Sequence, residues 1–306
     1  KKTEEGINLY LHVFDWPENG KVVLEGVGND VSSASFLGSS RIARVSRNES
    51  DLVVHVPEKP ISEHASVILL RLKDAPIIYT APTIDVPSEI FVNSATVKLE
   101  SSSDELQIRY TLDGSDPGTH SSLYRGPITV AQTSTLKART FHNGKAVSPV
   151  SSVMLGKVQP LPATNPGSTA GLKYEMFEGS WDELPDFSKL KPVQTRIAKT
   201  VGLHTEEFPE FAGVVVTGTI TVPHDDVYLF DLLSDDGSKL WIDGKVVVDH
   251  DGLHSPTVKR GSVALAKGAH KIRIEMFNKS GGSALGLGWA RAGNPVDEVP
   301  ASAFNH

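Results

Sequence analysis

Residues 232–254 read LLSDDGSKLWIDGKVVVDHDGLH. Two short apolar runs, "KLWI" and "KVVV", are joined by Asp243-Gly244. Asp-Gly is a preferred two-residue hairpin loop because both positions take positive φ, which glycine does without steric cost. The segment therefore predicts a β-hairpin, with Asp243 as a turn residue. Around it stand four more acids, Asp235, Asp236, Asp249 and Asp251. Working outward, the same period continues. "INLYLHVF", "DLVVHVP", "ATVKLES", "LQIRYTL", "STLKARTF", "GVVVTGTITV", "VYLFDLL" and "HKIRIEMF" are short, rich in β-branched and aromatic residues, and bounded by Gly, Pro, Asn or Asp. No amphipathic helices of the length that alternates with strands in a (β/α)₈ barrel separate them. The fold class is all-β, built as consecutive sandwiches. The helix candidates are short, such as the stretch around Trp181–Leu184.

The 306 residues suit two or three domains, and 39% apolar residues give each a core to bury. The net charge of −7, with the acids spread along the chain, argues against nucleic acid as a partner, which would favour a basic stripe. No apolar run approaches the roughly 20 residues of a membrane span. There is no cysteine, so disulfides and thiolate zinc sites are excluded. The first residues run almost straight into a strand pattern, and the chain reads as a fragment of a longer protein.

Two Pro-rich passages punctuate the strands. "LKDAPIIYTAPTIDVPSE" ends one set near Ala75, and "GKVQPLPATNPGSTAGLKYEMF" supplies a Pro/Gly/Ser/Thr linker over residues 156–170. Three domains are expected, over 1–75, 76–157 and 158–306, with a linker too poor in apolar residues to pack and open to proteases. In the first, "LHVFDWPENGKVVLEG" predicts a hairpin turned at Asn19-Gly20. In the second, Asp113-Gly114 and Asp116-Pro117-Gly118 mark turns.

Each segment also resembles a known family. "INLYLHVFDWPENGKVVLEGV", with the later "DLVVHVP" and "ASVILLRL", looks like the small β-sandwich that follows the catalytic barrel of family 29 α-L-fucosidases. That family's catalytic acids sit on the barrel, and none of their motifs occurs here, so no catalytic residue is assigned. "YTLDGSDPG", "LYRGPI" and "LKARTF" resemble the immunoglobulin-like module at the C-terminus of chitobiases and hexosaminidases. "SDDGSKLWIDGK", "VVVDHDGLH", "GSVALAKGAHKIRIEMFN" and "GGSALGLGW" resemble the PA14 domain of glycosidases, adhesins and toxins.

Asp235-Asp236 raises a separate question. Successive side chains of a strand point to opposite faces, so an ordinary trans pair does not aim both carboxylates at one cation. Departure from strand geometry, or a cis peptide, brings them together. A hard cation such as Ca²⁺, which takes six to eight oxygens, suits such a pair. Fungal adhesins with this domain hold calcium through a cis-linked Asp pair, and the cation binds sugar hydroxyls; Asp235 and Asp236 match that pair in position. The resemblance thus implies a calcium and carbohydrate site at Asp235 and Asp236. Asn278 or Asp251 is the expected third donor, with Asn278 counted among the calcium ligands, both in the carbohydrate site, and the "KSGGSA" loop alongside. The competing reading is turn chemistry, since Asp carboxylates also accept backbone N–H bonds. Asp249, His250, Asp251 and His254 form a second polar cluster, in a Gly-containing loop rather than on the helix of a zinc protease. Trp241 and Trp289 are candidates for stacking on a sugar or for the core.

The resulting expectation is the non-catalytic C-terminal part of a secreted, periplasmic or cell-surface α-L-fucosidase. Its partners are a glycan and an upstream catalytic barrel. The alternatives are a structural stalk without ligand and the binding part of an adhesin.

Overall fold

The computed structural model describes residues 2–3, 6–62, 66–203 and 208–306. The alternating segments form strands, in three sandwiches, and the described helical turns are two short 3₁₀ turns. Trp181–Leu184 is not helical; the turn lies just downstream at Phe187–Lys189, where the Asp186 carboxylate accepts the Ser188 N–H as an N-cap. Two compact units form, Lys1–Val86 with Thr96–Leu155, and Pro87–Ala95 with Gly156–His306.

The first unit holds two sandwiches. In one, the sheet Lys2–Thr3, Gly6–Val13, Ser66–Leu72, Val31–Phe36 faces the sheet Lys21–Leu24, Asp51–His55, Arg44–Asn48. Phe36, Leu52, Val54, Ile68 and Leu70 fill the space between them. The expected hairpin at Asn19-Gly20 is not formed. The turn exists, with Gly20 at φ 65° and its N–H donating to Pro17 O, but Gly6–Val13 and Lys21–Leu24 lie in different sheets. The seven residues between them, with a proline that cannot join a ladder, let the chain arch across the core instead. Trp16 fixes that arch by donating its indole N–H to Pro57 O.

In the other, Thr83–Asp85, Ala95–Glu100 and Ile128–Val130 form one sheet, and Gln107–Thr111, Ser134–His142 and Ser151–Lys157 are neighbours in the second. Buried Arg139 joins the two sandwiches of this unit. Its guanidinium donates to Ser148 O at 2.7 Å and Ser50 Oγ at 2.8 Å and pairs with Glu49.

The second unit is built around the third sandwich. Its larger sheet runs Gln194–Ala198, Leu172–Glu178, Ala212–Val222, Gly268–Asn278, Ser238–Ile242, Lys245–His250. The smaller runs Gly202–Leu203, Ala284–Arg291, Asp226–Asp235, Thr257–Leu265. Tyr228, Phe230 and Leu232 from the smaller sheet pack on Val216, Leu240, Ile272 and Ile274 from the larger. The Pro/Gly/Ser/Thr stretch is not a free linker. Leu161 bridges Ala264 and Ala266, the Thr164 N–H donates to Ala269 O, and Thr169 exchanges two backbone bonds with His306. Backbone pairing therefore holds this stretch even though its side chains offer little to bury. Among the described residues no helix is long and apolar enough to cross a membrane.

Candidate functional site

Between Asp226–Asp235 and Ser238–Ile242 the chain leaves one sheet of the third sandwich and enters the other. Asp235, Asp236 and Gly237 make that crossing. The Asp235–Asp236 peptide bond is cis. The crossing is clamped to the end of Gly268–Asn278: the Asp236 N–H donates to Phe277 O, and the Phe277 N–H donates to Gly237 O, both at 3.0 Å. Only glycine fits at 237, because a Cβ there would stand 2.5 Å from the Phe277 ring and 2.7 Å from Gly252 N. The fold thus brings Asp236 to Asn278 and to the loop that follows it.

The two carboxylates have different surroundings. Asp236 is satisfied, with one oxygen accepting the His254 N–H at 3.2 Å and the other the Lys279 N–H at 2.9 Å. Asp235 is as buried as its neighbour, each 8% exposed, yet no hydrogen bond from a described residue reaches its carboxylate. Its Oδ2 faces Gly282, at 3.7 Å from the position a Cβ would take. Burial, and then the negative charge of Asp236, push the Asp235 carboxyl above the usual carboxylate range.

Asn278 is fully buried. Its amide N–H donates to Pro209 O at 3.3 Å, while its Oδ1 accepts nothing from the described residues. Ser283, in the loop expected to line the site, is also buried with an unpartnered hydroxyl. The sequence does not single it out, because serine in a Gly-Ser loop reads as turn chemistry. Two carboxylates, an amide oxygen and a hydroxyl are hard oxygen donors of the kind a calcium ion takes.

Of the other candidates, Asp251 and His254 lie on the loop that borders this crossing, where Gly252 faces Gly237 and the His254 N–H reaches Asp236. Asp251 is exposed and turned to another loop, where one oxygen accepts the Leu184 N–H and the Gly252 N–H, both at 2.8 Å. Asp249 pairs across the hairpin with Lys239 at 2.9 Å. His250 and His254 stack ring on ring at 3.8 Å. Burial, then the neighbouring charges of His254 and Lys259, hold the His250 imidazole below its usual range. Among the described residues no group of three His, Asp or Glu side chains converges on a metal position.

Trp241 lies beneath the Lys239 ammonium, and Trp289 packs at the margin of the core beside Tyr228. Asp243-Gly244 forms the expected tight loop, with φ of 49° and 78°. Asp243 does more than turn the chain. Its carboxylate also meets buried His270 Nδ1 at 2.6 Å and accepts the Lys271 N–H at 2.8 Å.

Comparison with known proteins places two families on this chain. Residues 189–303 match the PA14 domain, and residues 86–152 match the chitobiase/β-hexosaminidase C-terminal domain. A β-hexosaminidase of Porphyromonas gingivalis is 32% identical over 183 residues, 55% of this chain and 22% of that protein. A second curated relative is matched over 14% of its length, so the chain spans well under a third of either. Among solved structures, a PA14 sugar-binding domain from an RTX adhesin superposes with TM-score 0.41 at 15% identity, over 45% of this chain and 99% of that one. The epithelial adhesin 9 A domain of Candida glabrata, in complex with Galβ1-4GlcNAc, gives 0.38 at 12% identity, over 48% and 95%. The two family matches follow one another along the chain, the chitobiase/β-hexosaminidase C-terminal domain over residues 86–152 and the PA14 domain over residues 189–303.

Proposed function

We propose that this chain is the non-catalytic accessory region of a secreted, periplasmic or cell-surface glycoside hydrolase, and that its PA14 domain holds a glycan through a calcium ion. The kinship to a β-hexosaminidase supports a glycosidase parent. The wording of residues 7–72 supports an α-L-fucosidase within that class, with its catalytic barrel upstream. The first two sandwiches would position that barrel.

One observation carries the binding reading. Among the described residues no donor reaches the buried Asp235 carboxylate, which stands beside a second carboxylate, and none reaches the buried Asn278 Oδ1, one residue after the Phe277 backbone that clamps Asp236. Leaving such groups unpaired costs free energy that a cation returns. Asp235, Asp236 and Asn278 would hold the ion, and Ser283 would line its edge. A calcium ion held there would supply electrostatic attraction for sugar hydroxyls. Asp251 would act indirectly, by fixing the loop at Leu184.

The rival reading, a stalk without ligand, is favoured by Asp236, whose two backbone bonds already give it a structural task. A glycan array probed with the whole chain separates the two. Glycan retention in calcium that is lost in chelator is expected. Absence of any glycan signal in calcium favours the stalk and overturns the binding reading.

A further inference from the structure

The PA14 sandwich has a second concave place, at the other end of the same strands. Asp235 is paired with Ala284, and seven residues away Tyr228 is paired with Arg291. At about 3.3 Å per residue the two ends stand roughly 23 Å apart. A cleft of about 330 Å³ opens there, walled by Tyr228, Trp289, Arg291, Asn294 and Asp297 and edged by two prolines.

Its floor is aromatic. Tyr228 is fully buried, and its hydroxyl is occupied by the backbone of His224, whose N–H it accepts and whose carbonyl it donates to. Trp289 lies against it with ring centroids 5.7 Å apart, and keeps part of its ring exposed. The rim is polar and mixed in sign. The nearest carboxylate to the Arg291 guanidinium is Asp226, at 3.9 Å, too long for a hydrogen bond. The Asp297 side chain has no hydrogen-bond partner among the described residues, and Asn294 reaches only the Arg291 carbonyl, at 3.4 Å.

We infer that this cleft is a second saccharide subsite, independent of any cation, that takes one sugar residue with its apolar face on Trp289. The chemistry selects the ligand. An indole face removes C–H surface from water. Arginine donates, aspartate accepts, and asparagine does both, which matches a ring of hydroxyls that each donate and accept. Arg291 stands beside two carboxylates, Asp226 and Asp297, so the rim has no excess positive charge and does not favour a phosphate over a neutral polyol. The size suits one small ring at the lower end of small-molecule pockets. Two subsites at opposite ends of one sandwich would let the domain bridge glycan chains.

The test uses the whole chain in chelator, which silences a calcium site and so separates this inference from the one above. The four tryptophan indole N–H signals are followed by ¹H–¹⁵N correlation during titration with N-acetylglucosamine, galactose, glucose and L-fucose, with Trp289→Phe assigning its signal. At least one sugar is expected to move the Trp289 signal saturably. Arg291→Ala and Asp297→Ala, on the polar rim, are each expected to weaken that binding by about tenfold, the worth of one charge-assisted hydrogen bond, with the unfolding midpoint held. The inference is overturned if no sugar moves the Trp289 signal in chelator, or if the movement survives both rim substitutions undiminished.

Discussion

"DGSDPG" in the second sandwich and "SDDGS" in the third are similar strings with opposite electrostatics. Asp113 is exposed, and its carboxylate accepts the Ser115 N–H at 3.0 Å and the Ser115 hydroxyl at 2.6 Å. Those bonds, the hydroxyl's first, hold its carboxyl below the usual range. Asp116 is lowered likewise by its hydrogen bond with the Lys137 ammonium at 2.7 Å. Asp235 has no such donors and is pushed the other way by burial and by Asp236. A turn acid is completed by its own loop. Asp235 is held by the fold without a donor from the described residues, the condition on which the proposed calcium site rests.

The largest effect that tests this contrast is the response to calcium. Thermal unfolding of the wild-type chain should show the PA14 transition stabilised by about 2.7 kcal/mol at a hundredfold excess of calcium over Kd. Asp235→Asn should abolish that response. The same substitution should raise the midpoint without calcium at neutral pH. The sign follows from the raised carboxyl: as pH climbs, the unfolded chain loses this proton first, so stability falls through the raised range and the cost is fully present above it. Calcium affinity should fall as pH drops through that same range, because the neutral acid is a poor ligand. If calcium leaves the wild-type midpoint unmoved, Asp235 is turn chemistry after all and the contrast collapses.

An intermediate effect is expected at Asp243, which shares features of both kinds. It turns a tight loop, yet it also holds the fully buried His270, whose other ring nitrogen faces Ala266 O at 2.7 Å. Asp243→Asn weakens a charge-assisted bond to a buried ring and should lower the PA14 midpoint by about 1–2 kcal/mol. The calcium response should persist in full, since none of these contacts reaches Asp235. Loss of that response would show that the hairpin supports the site, and would sharpen the contrast into one between single residues.

The strands, the Asp243-Gly244 loop and the three sandwiches were legible because each is written in local period and turn chemistry. The pairing partners were not. Asn19-Gly20 makes its turn, but whether the flanking strands pair depends on Ser66–Leu72 and Asp51–His55, which bid for the same edges from far along the chain. The 156–170 stretch misled for the same reason: its composition describes side chains, while Leu161 and Thr164 are held by backbone groups more than a hundred residues away. At the site, Asp235, Asp236 and Asn278 carried a family wording. The bond from the Leu184 N–H to Asp251, and the hydroxyl of Ser283 left unpartnered among the described residues, arise from the three-dimensional course of two loops.

The smallest effect is expected at Asp113, where the contrast is most easily broken. Asparagine keeps an oxygen in place for the Ser115 N–H, so the turn should survive Asp113→Asn. Because the residue is exposed, its charge is screened by water and salt. The midpoint of the first unit at neutral pH should stay within replicate scatter of wild type, and calcium should change neither protein's first-unit transition. A pH series reveals the remaining difference. A lowered carboxyl gives stability that is present above its ordinary range and is lost as pH falls through the depressed folded value, so the wild-type midpoint should decline slightly more steeply in acid than that of Asp113→Asn. Should Asp113→Asn instead cost as much as Asp243→Asn at neutral pH, exposure and local hydrogen bonding would no longer separate a completed turn acid from a working one, and burial alone would have to carry the distinction at Asp235.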